Sequence, residues 1–403
     1  MIIHFYINTS FPFGMAAAKR QLCYAKGLMN QGHIIDVVVC QKCFEPNDDD
    51  DQPAKGEYQG IKYIYTCGKF KHAKNNKLMR GIDYLMLDYI RSFFYALKHI
   101  HRKDAVFAYY YPIFLQILII IASKIKGAKI VKETCEHPSA LGNVTSYWHK
   151  LCKWFEYHFV MPHYDGFIAI SRDLSKFVIK YKGRKAQCII VPILVEDFND
   201  GNNNGYEKNE YNVPYIIHTG TMLEQKDSIS KILHAFARFK KETQSTCKLV
   251  FTGPQANKKC KYLPMIRELG VEDSVELLGL VSPERVAVLQ RHAAMTIIYK
   301  SDNLQTRNCF PTKLGEMLIS GIPVITTTVG DANIYLENEK NAFIIEPDDE
   351  DKLVKYIKYI LDKPHEAQKI GAEGKIIAKK YFNPIFQGKR LSDFYISLFN
   401  SET

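Results

Sequence analysis

Short apolar runs alternate with segments of helical period along almost the whole chain. Residues 2–8 form one such run, 16–30 carry a helical period that stops at Gly32-His33, and 34–39 form a second run. Strand, loop, helix, strand is the opening of a doubly wound α/β domain with a parallel sheet. Phe11-Pro12-Phe13-Gly14 makes the turn after the first strand. Ligands of such sheets bind beyond the carboxyl ends of the strands, so Gly14 stands where backbone can approach a ligand. The pattern then predicts a polar loop at 46–60, with aspartates at 48–51, and a strand at 60–65. A long helix at 82–101, a strand at 105–109, a helix at 113–126 and a strand at 129–133 follow, with further strands at 166–171 and 189–192. The aromatic segment 147–164 holds both tryptophans, Trp148 and Trp154. It is expected to pack as core, a helix lying on a membrane being the alternative.

Residues 199–212, rich in Asn and Gly and poor in apolar side chains, read as a linker. A second series begins beyond them. Strands at 215–218, 248–252, 275–278, 295–299, 324–327 and 342–345 alternate with helices at 227–241, 262–269, 284–292, 312–320, 349–362 and 366–381, and an amphipathic helix closes the chain at 386–399. The expected organisation is one Rossmann-like domain at 1–198, the linker, a second Rossmann-like domain at 213–381, and a terminal helix at 382–403 packing back on the first.

One stretch of the second series carries candidate chemistry. Pro311 suits the first turn of the helix at 312–320, where its missing N–H is not needed, and Gly321 suits the left-handed stop. Lys313 and Glu316 sit three apart on one side of the first turn. The free N–H groups and the dipole there favour an anion such as a phosphate. A surface helix with an i, i+3 ion pair is the alternative. In the first series, the strand at 129–133 ends in Glu133-Thr134-Cys135-Glu136-His137-Pro138. That is either a functional cluster or loop polars that cap the next helix.

At 403 residues the chain exceeds one ordinary core, in keeping with two domains. A net charge of +11 points to an anionic partner: nucleic acid, a phosphorylated small molecule or an anionic membrane. The basic run 68–80 (Lys69, Lys71, His72, Lys74, Lys77, Arg80) is either a solvated loop or a contact for lipid headgroups or a phosphorylated acceptor. The ten cysteines are scattered, which suits a reducing cytosol. Cys40 and Cys43 form a lone C-x-x-C without the second pair a structural zinc site needs. Residues 1–7 lack a basic n-region, so no signal peptide is expected. The most apolar run, 113–122, is well short of the roughly 20 residues that span a bilayer.

With these motifs the chain resembles a family-4 retaining glycosyltransferase. The resemblance implies the GT-B architecture of two Rossmann-like domains facing a cleft, the first binding acceptor and the second binding donor. Phe310-Pro311-Thr312-Lys313-Leu314-Gly315-Glu316 fits an F-P-[ST]-K-x-x-E form of the family signature, and Gly321-Ile322-Pro323-Val324-Ile325 fits its tail. Gly220 and Lys226 match the G-R-x-x-x-x-K element. Asn308 stands in place of the first signature Glu, and Thr221 in place of the Arg. Weaker matches are Gly14, Gly32-His33, the strand from Asp165 to Ser171, and Val191-Pro192 with Asp197-Phe198.

The resemblance implies a cytoplasmic enzyme that moves sugar from a UDP- or GDP-sugar to a saccharide or lipid-linked acceptor in cell-surface polysaccharide assembly. It implies no metal or other cofactor, and the basic N-terminal surface makes a peripheral contact with the inner face of the cytoplasmic membrane an added expectation. Lys226 and the amides around Phe310, Pro311, Thr312, Lys313 and Leu314 are implied at the donor diphosphate, with Gly14, Gly220 and Thr221 beside the donor. Glu316 is implied at the ribose and Asn308 at the donor sugar. Glu133 and His137 are acceptor-side candidates by location. A nucleotide-sugar epimerase of the same fold, or a basic nucleic-acid-binding protein, is the alternative. The spread of the basic residues and the lack of a nucleic-acid module weigh against the second.

Overall fold

The apolar runs become the strands of two parallel sheets, each in its own compact unit. The computed structural model describes residues 1–14, 16–41, 53–68, 87–110, 112–137, 146–196, 209–308 and 310–400. The aspartates at 48–51, the basic run from Lys69 to Arg80, Asp197-Phe198, Cys43 and most of the linker lie outside the described residues. One unit comprises Met1–Leu194 with Pro384–Thr403, the other Val195–Asn383.

The first unit holds β1 (Ile2–Ile7), β2 (Ile34–Val39), β3 (Lys55–Tyr58), β4 (Ile61–Tyr65), β5 (Ala105–Tyr109), β6 (Lys129–Thr134), β7 (Gly166–Ala169) and β8 (Gln187–Ile190). Their order across the sheet is β3-β4-β2-β1-β5-β6-β7-β8. Every pairing is parallel except β3 with β4. Helices cover both faces of such a sheet, so its central strand β1 is largely apolar: Ile3, Phe5, Tyr6 and Ile7 are fully buried. β3 falls where a polar loop was expected. It is an edge strand with three exposed residues and no apolar alternation, joined to β4 through Gln59 and Gly60, both at positive φ. The terminal helix Pro384–Asn400 lies on helix Ala16–Asn30 within this unit. A Cβ added to Gly388 would stand 2.3 Å from the Gly27 carbonyl carbon, so the two backbones touch.

The aromatic segment is core only at its end, where Val160, Met161 and Tyr164 are buried. Helix Tyr147–Phe155 buries none of its residues, and Trp148 and Trp154 are exposed. It runs into a π-turn, Glu156–Val160, and a 3-10 turn, Met161–His163. One buried anchor is polar. Glu156 accepts hydrogen bonds from Lys132 (2.8 Å), Lys153 (2.8 Å) and Gln116 (2.9 Å), and this fixes the polar flank inward.

The second unit holds β9 (Tyr215–Thr219), β10 (Lys248–Thr252), β11 (Val275–Leu277), β12 (Met295–Ile298), β13 (Val324–Thr327) and β14 (Phe343–Ile345), ordered β11-β10-β9-β12-β13-β14 and wholly parallel. The winding reverses between β9 and β12, which opens a crevice beyond their carboxyl ends. Helix Thr312–Ser320 keeps its expected bounds, with Gly321 left-handed at φ 80°. The helix expected at 227–241 runs from Ile229 to Thr243, and a separate short helix, Glu224–Asp227, precedes it, the two parted at Ser228 with φ 45°.

Candidate functional site

Four charged or titratable side chains from four elements meet beyond β9 and β12. Asp227 ends its short helix with its carboxylate turned inward. Lys300, two residues past β12, reaches it at 2.8 Å through Oδ1, and Lys313, in the first turn of helix Thr312–Ser320, at 3.0 Å through Oδ2. His218, from β9, lies with Nε2 4.0 Å from Asp227 Oδ2 and 3.5 Å from Lys313 Nζ. Lys300 also donates to the Lys226 carbonyl at 2.6 Å, fixing the short helix. That pull on Asp227 from two sides accounts for the break at Ser228.

Burial pushes the Asp227 carboxyl up, but Lys300 and Lys313 outweigh it and hold it well below the usual carboxylate range. Burial, reinforced by Lys313, lowers His218 to about 3, so its ring is neutral near pH 7. One carboxylate therefore faces two ammonium groups, and the cluster keeps an excess positive charge. Its members differ in access. Asp227 and His218 are 4% and 3% exposed and Lys300 8%, whereas Lys313 is 20% exposed. Lys313 is the member that reaches solvent, and burial lowers its pKa against the pull of Asp227. A lysine has three donors, and Asp227 and His218 take two, which leaves one for a ligand oxygen.

The backbone is shaped around this lysine. Gly220, just past β9, has φ 121°, and a Cβ there would stand 2.3 Å from Lys313 Cε. Only glycine lets the lysine cross that point. Thr219 Oγ1, beside it, is buried without a hydrogen-bond partner. The following loop is braced: Glu224 accepts from the Ser230 amide (3.2 Å) and the Tyr262 hydroxyl (2.8 Å), and the Ser228 and Ser301 hydroxyls bond at 2.7 Å. A net cationic, glycine-opened crevice at a helix N-terminus suits a phosphate-bearing ligand.

The sequence candidates of this unit fall in distinct places. Gly220, Lys313 and the half-buried Glu316 gather at the crevice, and Lys313 feels the Glu316 charge. Lys226 and Thr221 flank it, both half-buried. Pro311 caps helix Thr312–Ser320 in extended conformation, and Thr312 is its first residue. Phe310 and Leu314 are buried core, Phe310 against Tyr335 (5.7 Å) and Phe382 (5.5 Å). Asn308 is buried, and its Nδ2 donates to the Leu304 carbonyl at 2.8 Å. Sequence reasoning passed over His218, Asp227 and Lys300. The available signal was a histidine, an aspartate and a lysine at the ends of apolar elements, where solvation alone does not explain them.

In the first unit, Glu133 accepts from Arg20 Nε (2.6 Å) and Tyr24 Oη (2.7 Å), while Arg20 also donates to the Val191 and Pro192 carbonyls. Glu133 is thus held in a buried ion pair, and its Oε2 has no hydrogen-bond partner. It lines a cavity with Thr134, Cys135, Lys132, Lys153 and Tyr157. Burial raises the Cys135 thiol. His137 packs edge-on against Phe177 at 4.8 Å, and burial lowers its pKa. Gly14 lies half-buried in the loop after β1. Among the described residues no group of three or more His, Cys, Asp or Glu could hold a metal ion.

Acid should weaken the second unit. The unfolded chain protonates His218 near 6.5 and the folded one near 3. Stability is therefore full above the first value and falls as pH drops through the interval. Asp227, held low, acts in the same direction below its ordinary 3.8. His218→Gln should flatten that limb, on the order of 1.4 kcal/mol per pH unit. Urea titrations read by hydrogen exchange in β9 test this, and equal slopes for variant and wild type would refute it.

Residues 206–376 match the family model described as "Glycosyl transferases group 1". A curated relative, the MMP alpha-(1->4)-mannosyltransferase of Mycolicibacterium hassiacum, is 28% identical over 156 residues, covering 38% of this chain and 36% of its own length. Sucrose-phosphate synthase from Thermosynechococcus elongatus superimposes with a TM-score of 0.68 at 16% identity, covering 99% of both chains. HepE of Anabaena, solved with UDP, gives 0.64 at 14% identity, covering 98% of this chain and all of that one. These structures establish the fold, a GT-B pair of Rossmann-like units.

Proposed function

We propose that this chain, whose residues 206–376 form a group 1 glycosyl transferase segment, moves a sugar from a nucleoside-diphosphate sugar to a saccharide or lipid-linked acceptor. One observation carries the reading: the Asp227–Lys300–Lys313 cluster, with its excess positive charge, beside the glycine-opened turn at Gly220. The bond between the anomeric carbon and the diphosphate oxygen breaks, and negative charge grows on the diphosphate. Lys313, Lys226 and the amides at the start of helix Thr312–Ser320 face that charge, so they act more strongly in the transition state than in the ground state. The acceptor hydroxyl oxygen bonds to the anomeric carbon, and its proton leaves with the departing phosphate. On this reading the transfer retains configuration and needs no metal, because fixed cations do its work. Glu316 accepts ribose hydroxyls, and Asn308 serves the donor sugar.

The first unit takes the acceptor, for which the cavity beside Glu133 offers an unsatisfied carboxylate oxygen. The reading includes cytoplasmic action in cell-surface polysaccharide assembly, with peripheral contact to an anionic membrane. Among the described residues no helix is long and apolar enough to cross one.

Melting curves of the full chain with UDP, GDP, ADP and CMP test the donor class. A rise with UDP or GDP is expected, and none with any nucleotide would sink the reading. Glu316→Ala should then weaken the stabilising nucleotide by about 1–2 kcal/mol, roughly 5–30-fold, in calorimetry. Unchanged affinity would remove Glu316 from the ribose.

A further inference from the structure

We propose that the outward face of helix Tyr147–Phe155, continued through the π-turn Glu156–Val160, docks on an anionic lipid bilayer. Tyr147, Trp148, Leu151, Trp154, Phe155 and Phe159 follow one helical stripe. All six are exposed, Tyr147 to 81% and Trp148 to 71%. An amphipathic helix of a free-standing unit turns such a stripe inward. This one turns it out, and an exposed apolar patch of this kind marks an interaction surface.

The orientation is held from behind. Burial pushes the Glu156 carboxyl up, but Lys132 and Lys153 bring it down to about 2, so it stays ionised and paired beneath the helix. Rotating the helix to bury its rings would strip that pair of its partners. The rings also form a preset plate: Phe155 stacks on Phe159 at 5.2 Å, and Trp154 meets Phe159 at 5.5 Å.

The surrounding charge selects the occupant. Between residues 146 and 185 the chain carries eight lysines and arginines against three acids. Each acid is already engaged: Glu156 as above, Asp165 with Lys124 and the Ile130 amide, Asp173 with Lys176. Lys180 lies 5.2 Å over the Tyr181 ring, which itself meets Tyr157 and His158 of the π-turn. A second copy of this chain would set this excess of basic residues against itself. A bilayer with acidic headgroups complements it, while Trp and Tyr suit the boundary between headgroups and acyl chains. The helix then lies in the interface plane. This inference gives a surface to the membrane contact in the proposed function and rests on that part of it, not on the donor chemistry.

Both tryptophans of the chain lie on this helix, so their fluorescence reads this surface directly. The full chain is mixed with vesicles of phosphatidylcholine, with and without phosphatidylglycerol. We expect a blue-shifted emission, shielding from acrylamide and co-sedimentation with the anionic vesicles, each weaker on phosphatidylcholine alone. The double variant Leu151→Asp/Phe155→Asp, at two exposed positions, should pellet on the order of tenfold less. Its circular dichroism, and its melting shift with whichever nucleotide stabilises the wild type, should be unchanged. Unshifted emission with protein left in the supernatant would overturn the assignment, and so would a double variant that pellets like the wild type. A blue shift that grows with protein concentration without lipid, accompanied by a dimer in sedimentation velocity, would give the face to a second copy and overturn it as well. Loss of nucleotide stabilisation in both proteins would strike the transferase reading and leave the vesicle result standing.

Discussion

Lys313→Met should slow sugar transfer by about two to three orders of magnitude and weaken the stabilising nucleoside diphosphate by roughly 10–150-fold. Of the two lysines on Asp227, Lys313 is the more exposed, so it is the one a diphosphate can meet. Methionine keeps the length of the side chain and its contact over Gly220 while removing the charge. Asp227 then retains Lys300 at 2.8 Å, so folding should survive. The loss should fall on the leaving group, where charge develops, more than on the ground state. Lys226→Ala should also slow transfer, on the order of 10–150-fold, if its charge meets the diphosphate. Gly220→Ala offers an independent route to the same defect, since its Cβ would displace Lys313. Calorimetric affinity with single-turnover transfer checks all three variants. If Lys313→Met kept transfer within about twofold of wild type, less than 0.5 kcal/mol, the cluster would be a structural brace and not the donor site.

The second large effect is on stability. Asp227→Ala should cost the second unit about 3 kcal/mol, because it leaves Lys300 almost fully buried without its counter-charge. For a unit of this size that is a fall of roughly 6–12 °C in melting temperature. Removing the stranded cation as well, in Asp227→Ala/Lys300→Met, should recover much of the loss, since an uncharged pair has nothing left to desolvate. Hydrogen exchange in β9 and β12 reads this unit separately from the other. A double variant no more stable than Asp227→Ala would show that the cost lay in packing and not in charge.

These residues also show what a sequence makes legible. Helix Thr312–Ser320 and β13 appear at their expected bounds because their signals are local: a proline before the first turn, a glycine past the last, an apolar run beyond. Residue 227 reads locally as the start of one long helix, and the chain breaks there because Lys300 and Lys313 draw Asp227 inward. β3 is missed for the opposite reason. Its residues carry no apolar alternation, and its pairing depends on β4 and on the positive φ of Gln59 and Gly60.

By itself the sequence determined the α/β class, two series of parallel-sheet elements and the helix whose N-terminus borders the crevice, since each follows from period and punctuation within a few residues. Only the tertiary structure decided which charges meet. His218, Asp227, Lys300 and Lys313 are up to 95 residues apart in contact and come together because β9 and β12 are neighbours in the sheet. It alone decided which way the aromatic helix faces. An amphipathic period is the same whether its apolar stripe points in or out, and here the buried Glu156 pair with Lys132 and Lys153 turns it out.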